Sequence, residues 1–158
     1  MKTRLFPILF ICSILITSCC YNIDCEQSSL KFTLISFSAS EMDSLIFRKF
    51  EANSNFQIIK DSMLIGDINI LHPYSHGDSV LLETYNSTYI KFQIQPGYDY
   101  QIFIPGASKL INISNIIEIP TQKKNCDISD GNHGCYNPIT SYKIDGQIKS
   151  GDYFFVHK

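Results

Sequence analysis

Two histidines and an aspartate share one short polar stretch and are the first candidates for metal chemistry. His72, His76 and Asp78 lie in the run His-Pro-Tyr-Ser-His-Gly-Asp that covers residues 72–78. Imidazole nitrogens with a carboxylate suit zinc, copper or nickel. Pro73 excludes a helix that would place both histidines on one face. We therefore favour a solvated turn between strands over a metal site, and we expect no cofactor.

A second polar stretch runs from Cys126 to Cys135 and contains Asp130, Asn132 and His133. A calcium loop is excluded because the acids do not fall at alternate positions and no bidentate glutamate follows in register. A Cys/His zinc site needs thiolates, which an oxidising compartment opposes. The stretch instead favours a disulfide-pinned loop that displays Asp130, Asn132 and His133 for binding.

Catalytic patterns are lacking in the sequence. It contains no Gly-x-Ser-x-Gly, no His-Glu-x-x-His and no phosphate-binding glycine-rich loop. Asp99 and Glu118 fall on predicted strands, where a solvated strand face explains each carboxylate. We therefore predict that the chain is not an enzyme, and a hydrolase is the least favoured of the functions considered.

Aromatic residues offer another kind of site. The chain has 9 Tyr and 11 Phe but no Trp. Tyr89 and Phe103 are predicted to face outward and are the best candidates for stacking on a sugar ring. Phenylalanine at alternate strand positions is more typical of a core, so glycan binding stays an alternative.

The N-terminus has the build of an export signal. Lys2 and Arg4 precede the uncharged apolar run of residues 5–16, which is too short to span a bilayer. Ile16-Thr17-Ser18-Cys19 then fits a bacterial lipobox, whose cysteine receives lipid. We predict a signal peptide at residues 1–18, lipid on Cys19, a tether at 19–29 and one domain at 30–158. An ordinary signal cut near Ser18 is the alternative.

Charge and localisation follow from that cleavage. Removing residues 1–18 takes away two basic residues and no acid, which leaves 11 basic and 15 acidic side chains and moves the formal charge from −2 to about −4. Such a balance disfavours nucleic acid and anionic lipid surfaces as partners. The membrane is then contacted through the lipid. The residue directly after the lipidated cysteine is Cys20. An aspartate at this position retains lipoproteins of enteric bacteria at the inner membrane, so Cys20 favours the outer membrane.

Six cysteines must be sorted. Cys12 leaves with the signal and Cys19 takes the lipid, so Cys20, Cys25, Cys126 and Cys135 remain as disulfide candidates. Local pairing of Cys126 with Cys135, and of Cys20 with Cys25, is favoured. The long-range alternatives stay open.

The rest of the chain alternates apolar and polar residues in short runs, which predicts an all-β domain. The predicted strands cover residues 30–37, 44–50, 63–71, 79–85, 88–95, 98–104, 110–119, 140–148 and 153–157. Residues 40–43 resemble a helix capping box, but we favour a strand after them. On the strand at 110–119 we place Ile111, Ile113, Ile117 and Ile119 on one face. About 7–9 such strands indicate an immunoglobulin-like two-sheet β-sandwich.

One turn supports the sandwich. Pro96-Gly97 fits the centre of a type II turn and is followed by Tyr98 and Tyr100. A tyrosine here can bond back to the turn, as in the tyrosine corner of immunoglobulin-like domains. An ordinary surface tyrosine is the alternative.

Three stretches resemble small uncharacterised lipoproteins of Bacteroidetes-type bacteria: residues 37–60, 97–102 and 141–147. The resemblance implies a bacterial envelope protein and supplies no site residues. We therefore predict a lipid-anchored binding or accessory module that acts through loops or an exposed sheet edge. Its partner would be another envelope protein or an extracellular ligand, and a glycan- or metal-binding domain is the alternative.

Overall fold

The computed structural model describes residues 20–38, 40–66, 79–82, 92–125 and 135–158. These residues are all-β, as predicted, with one 3-10 turn at Pro105–Ala107. In chain order the strands are β1 (Tyr21–Asp24), β2 (Lys31–Ile35), β3 (Ser44–Glu51), β4 (Ile59–Gly66), β5 (Ser79–Leu82), β6 (Tyr98–Ile104), β7 (Lys109–Glu118), β8 (Gln122–Asn125), β9 (Ile139–Ile144), β10 (Gln147–Lys149) and β11 (Tyr153–His157).

The chain divides into two compact units. The described part of the first comprises residues 20–26, 120–125 and 135–136, in which β1 pairs antiparallel with β8. Part of the predicted tether is therefore a strand, and the polar residues Gln122–Asn125 form another. The bounds of the signal peptide, the tether and the domain stay predictions.

A disulfide joins Cys25 to Cys135 in the first unit. The backbone amide of Cys25 donates to Thr121 (3.0 Å) and that of Glu26 donates to Cys135 (2.8 Å), so the two segments lie side by side. Cys20 is also disulfide-bonded. One of the long-range pairings is therefore present instead of the favoured local ones, because chain segments distant in sequence are neighbours here.

The second unit comprises the other described residues and contains two sheets. Six antiparallel strands follow the order β10-β9-β7-β6-β3-β4. Three strands follow the order β11-β2-β5, with β11 parallel to β2. Phe32 of β2 packs on Phe47 of β3, and Phe154 of β11 packs on Tyr142 of β9, each pair with ring centroids 5.9 Å apart. Apolar side chains of the two sheets therefore share one core.

Alternation along the strands decides which side chains enter this core. Leu30, Phe32 and Leu34 are fully buried, as are Ile102 and Ile104 of β6. Each such burial contributes about 1.5–3 kcal/mol relative to exposure. Apolar side chains at alternate positions therefore enter the core from both segments.

The segment before β3, which resembles a helix capping box in sequence, forms a single turn and is followed by an extended strand. The Glu41 carboxylate accepts hydrogen bonds from the amide and the hydroxyl of Ser38, each at 2.9 Å, and the Met42 amide donates to Ser38 at 3.2 Å. Leu45 and Phe47 then bury at alternate positions, which only a strand achieves. The predicted strand is confirmed.

The predicted face of β7 is correct only in its first half. Ile111 and Ile113 are buried, but Ile117 is 53% exposed and Ile116 is 8% exposed. The register with β9 shifts between Ser114 and Ile117, and Asn115 has a φ of +51°. A β-bulge here turns the following residues to the opposite faces.

The turn before β6 is held by a buried tyrosine. Gly97 has the positive φ of +87° that the third residue of a type II turn requires. The Tyr100 hydroxyl accepts from the Gln95 amide at 3.0 Å and donates to the Gln95 carbonyl at 3.2 Å. Burial raises the pKa of Tyr100 to about 12. This is the back-bonding tyrosine that the sequence suggested, and an ordinary surface position is excluded.

Candidate functional site

Most of the predicted site residues lie outside the described residues: His72, His76, Asp78, Tyr89, Asp130, Asn132, His133, Cys126 and the lipidation candidate Cys19. Within the described ranges, no group of three His, Cys, Asp or Glu residues could hold a metal ion. The same ranges contain no helix that is long and apolar enough to cross a membrane.

Phe103 and the two strand acids are described. Phe103 is half-buried on β6, opposite Ile46 of β3 and Leu110 of β7. Asp99 is only 5% exposed, and its carboxylate accepts a hydrogen bond from the Asn53 amide at 3.0 Å. The expectation of a solvated strand face is therefore wrong for Asp99, because the β3–β4 loop covers it.

A cleft of about 750 Å³ lies in the second unit, and we call it the edge cleft. It lies between the β9–β10 hairpin and β11. Its lining comprises Tyr142, Ile144, Asp145, Gln147, Ile148, Lys149, Ser150, Tyr153, Phe154, Phe155 and His157. The Tyr142 hydroxyl donates to the Tyr153 carbonyl at 2.9 Å, so one hydrogen bond joins the two sides.

One side of the edge cleft is the three-residue strand β10, the end strand of the six-stranded sheet among the described residues. Asp145 and Gly146 join it to β9 with φ values of +47° and +82°, as in a type I′ hairpin. In such a hairpin Ile144 and Gln147 form a hydrogen-bonded pair. The next pair along the strands, Lys143 and Ile148, is therefore a non-hydrogen-bonded pair. The backbone amide and carbonyl of Ile148 therefore point away from β9.

The other side is β11, an end strand of the three-stranded sheet in the described part of the chain. The Lys31 amide donates to the Asp152 carbonyl at 2.8 Å and the Lys158 amide donates to Ile35 at 3.2 Å. The backbone amides and carbonyls of the even-numbered residues of β11 therefore point toward β2 and form hydrogen bonds with it. The backbone groups of Phe155 and His157 point the other way. Among the residues that the structure describes, two open strand edges therefore border one cleft.

Side chains give the edge cleft an apolar and basic character. Ile148 is 74% exposed and Phe155 is 58% exposed. Lys149 and His157 also line the cleft. The one acid in the lining, Asp145, accepts hydrogen bonds from the Asn112 amide at 2.9 Å and from its side-chain nitrogen at 3.3 Å. An acidic ligand group would therefore meet the basic side chains of Lys149 and His157, and the one carboxylate of the described lining, Asp145, already accepts two hydrogen bonds.

The edge cleft includes none of the candidate binding residues chosen from the sequence. Two sequence signals point to it in retrospect. Asp145-Gly146 between two apolar runs is a strong hairpin signal. Phe154-Phe155-Val156 in an alternating strand requires one large apolar side chain to face away from the core.

Comparison with known proteins gives no match among family models, curated proteins or solved structures. Function is therefore inferred from the residues and their geometry alone.

Proposed function

We propose that the protein is a lipid-anchored, non-enzymatic binding module of the bacterial envelope that captures an extended peptide segment at the edge cleft. The observation that carries this proposal is the pair of open strand edges, β10 and β11, beside exposed Ile148 and Phe155. Unpaired backbone groups on a strand edge recruit a further strand, and neighbouring side chains select its residues.

The immunoglobulin-like form of the sandwich belongs to the same proposal. Its support is the aromatic packing between the two sheets and the hydrogen bonds from Tyr100 to Gln95. A tyrosine that bonds back to the preceding turn is a hallmark of such domains. End strands that bind peptides are compatible with this fold, because its two sheets do not close into a barrel.

β11 is the better of the two edges for the peptide. It has five residues against three in β10, and it directs the backbone groups of Phe155 and His157 outward. The captured segment would pair with these groups. Lys149 and His157 favour a segment that combines apolar residues with an acidic one.

The proposed location comes from the sequence. The lipobox at residues 16–19 supports a lipid anchor, and Cys20 after it supports the outer membrane. A protein held there would find its peptide ligand in another envelope protein or outside the cell.

Backbone protection tests the proposal directly. The full chain in detergent micelles is titrated with a synthetic peptide that alternates Thr and Val around one Asp. Amide hydrogen exchange is then followed by NMR. We expect slower exchange at Phe155 and His157 on binding. Unchanged exchange at both residues, at saturating peptide, would contradict strand addition at β11.

Two substitutions at one position separate the backbone from the side chain. Phe155→Pro removes an outward amide that β2 does not use, which an edge strand tolerates. Phe155→Ala keeps that amide. We expect Pro to abolish peptide binding, and Ala to weaken it less. Equal binding by the two variants would exclude a role for the Phe155 amide.

A further inference from the structure

A row of apolar side chains crosses the outer face of the six-stranded sheet, the face opposite the shared core. Ile46 of β3 lies opposite Leu64 of β4 and Phe103 of β6, and Phe103 lies opposite Leu110 of β7. Leu64 is 67% exposed and Leu110 is also exposed, while Ile46 and Phe103 are half-buried. We call these four residues the apolar row.

A row of polar side chains runs beside it, two residues along each strand. Arg48 lies opposite Ser62 and Gln101, and Gln101 lies opposite Asn112. Because two residues of a strand span about 7 Å and strands lie about 4.8 Å apart, the two rows form one nearly continuous surface. We call Ser62, Arg48, Gln101 and Asn112 the polar row.

Arg48 gives this surface an unused positive charge. Arg48 is half-buried, and it takes part in no hydrogen bond or ion pair found among the described residues. Neither carboxylate on this side of the sheet is paired with Arg48: Asp99 accepts from the Asn53 amide, and Asp145 accepts from Asn112. A guanidinium group held on a sheet presents the fork of donors that matches a carboxylate.

A chain of amide hydrogen bonds orients the neighbour of Arg48. The Gln101 side-chain nitrogen donates to the Asn112 oxygen at 2.9 Å, and the Asn112 nitrogen donates to Asp145 at 3.3 Å. Both steps run in the same direction. They leave Gln101 Oε1 as an acceptor with no partner in the described part of the chain, so a hydroxyl group could donate to it.

We propose that this outer face binds a carboxylated sugar unit of an acidic glycan. The sugar carboxylate binds Arg48, a ring hydroxyl donates to Gln101 Oε1, and the C–H side of the ring lies on Ile46 and Phe103. A peptide is disfavoured because β3 and β6 pair on both sides and offer it no open edge. This site is separate from the edge cleft.

Matched acidic and neutral glycans test the proposal. The full chain in detergent micelles is titrated by NMR with an oligogalacturonate and with a neutral gluco-oligosaccharide of equal length. We expect shifts at Ile46, Arg48, Gln101 and Phe103 with the acidic glycan alone. Arg48→Gln should weaken that binding about ten- to a hundredfold, because a charge-assisted hydrogen bond is lost. Gln101→Ala should weaken it less.

The matched control is Lys60→Gln, which removes an exposed cation that pairs with Glu51 at 2.6 Å. It should leave glycan affinity unchanged. Equal loss in Lys60→Gln and Arg48→Gln would overturn the site in favour of general charge attraction. Shifts confined to Phe155 and His157 would overturn it in favour of the edge cleft, and the absence of any shift would also overturn it. If Arg48→Gln fails to fold, Gln101→Ala decides between the same outcomes.

Discussion

Tyr100 links the core to a turn through a single side chain. Its ring contacts Phe92 with centroids 5.7 Å apart, and its hydroxyl makes both of its hydrogen bonds to the Gln95 backbone. The Pro96-Gly97 turn is thereby tied to the strand that follows it. The same hydrogen bonds are one support of the proposed immunoglobulin-like form, and their contribution to stability can be measured.

Replacing Tyr100 with Phe removes the hydroxyl and leaves the ring in place. We expect the free energy of unfolding to fall by about 1–3 kcal/mol, because the part-buried Gln95 amide loses its partner. Urea denaturation measures this loss. Tyr98→Phe is the control, since Tyr98 is exposed at the start of the same strand, and it should change the free energy of unfolding by less than about 0.5 kcal/mol.

The pH dependence of this difference has a definite sign. Burial raises the pKa of Tyr100 from 10.0 to about 12, so the folded protein keeps the proton where the unfolded chain loses it. The stabilisation is complete below pH 10 and is lost as the pH rises toward 12. The stability gap between the native protein and Tyr100→Phe should therefore narrow over that interval. A constant gap would contradict the burial of the hydroxyl.

Glu41 is the second residue whose ionisation is tied to the fold. Its carboxylate pairs with Lys158 at 2.7 Å and accepts hydrogen bonds from the Ser38 amide and hydroxyl. These contacts lower its pKa from 4.5 to about 2, with the Lys158 hydrogen bond as the largest cause. The carboxylate thus connects Lys158 to the turn before β3.

Glu41→Gln should be less stable than the native protein at neutral pH. A lowered pKa means that the contribution is present above pH 4.5 and is lost as the pH falls toward 2. The stability curves of the two proteins should therefore converge over that interval. Glu51→Gln is the control, because the exposed Glu51–Lys60 pair is worth about 0–1 kcal/mol. Curves that stay parallel would show that the Glu41 charge does not act.

At the scale of elements, the sequence predicts strands well where alternation is unbroken. The bounds of β6 and β11 match the predicted 98–104 and 153–157. β1 and β8 were missed because their residues are mostly polar and their pairing is not local. The edge cleft was missed for a related reason: whether β10 and β11 lie at sheet ends depends on strand order, which local patterns do not encode.

In β7, one residue interrupts the alternation of buried and exposed side chains. Asn115 adopts a left-handed conformation, which asparagine tolerates better than most residues. The bulge then exchanges the faces of Ile116 and Ile117. The apolar pattern of the sequence cannot reveal this exchange of faces, because residues 116 and 117 are both isoleucine.

Substituting these two isoleucines separately tests the bulge. Ile116→Ala should lower the free energy of unfolding by about 2–5 kcal/mol, because it leaves a cavity beside the core. Ile117→Ala should cost less than about 1 kcal/mol, since that side chain is half-exposed. Thermal and urea denaturation of both variants gives the comparison. The reverse ranking would restore unbroken alternation and remove the bulge.

At the scale of the whole molecule, the Cys25–Cys135 disulfide joins residues 110 positions apart. Closing so long a loop restricts the unfolded chain and contributes about 4–5 kcal/mol in the chain-entropy model. The local pairs favoured from the sequence would close far shorter loops and contribute less. Much of the described chain is therefore stabilised by a bond that requires an oxidising compartment, which accords with the proposed export.

The proposed anchor and the disulfides make one joint prediction about intact mass. Detergent-extracted protein should have the mass of the chain from Cys19 plus acyl groups. Because Cys20 and Cys25 are both disulfide-bonded, and Cys25 is joined to Cys135, reduction should add the mass of four hydrogens. With Cys12 removed and Cys19 acylated, Cys126 is the cysteine left to pair with Cys20. A proteolytic digest without reductant should therefore contain the Cys20 and Cys126 peptides joined by a disulfide.

A mass that equals the unmodified chain from Cys19 would exclude the anchor, and Cys19 would then compete with Cys126 as the partner of Cys20. Envelope tethering would then have no chemical basis, and a peptide ligand would have to be sought for a freely secreted protein.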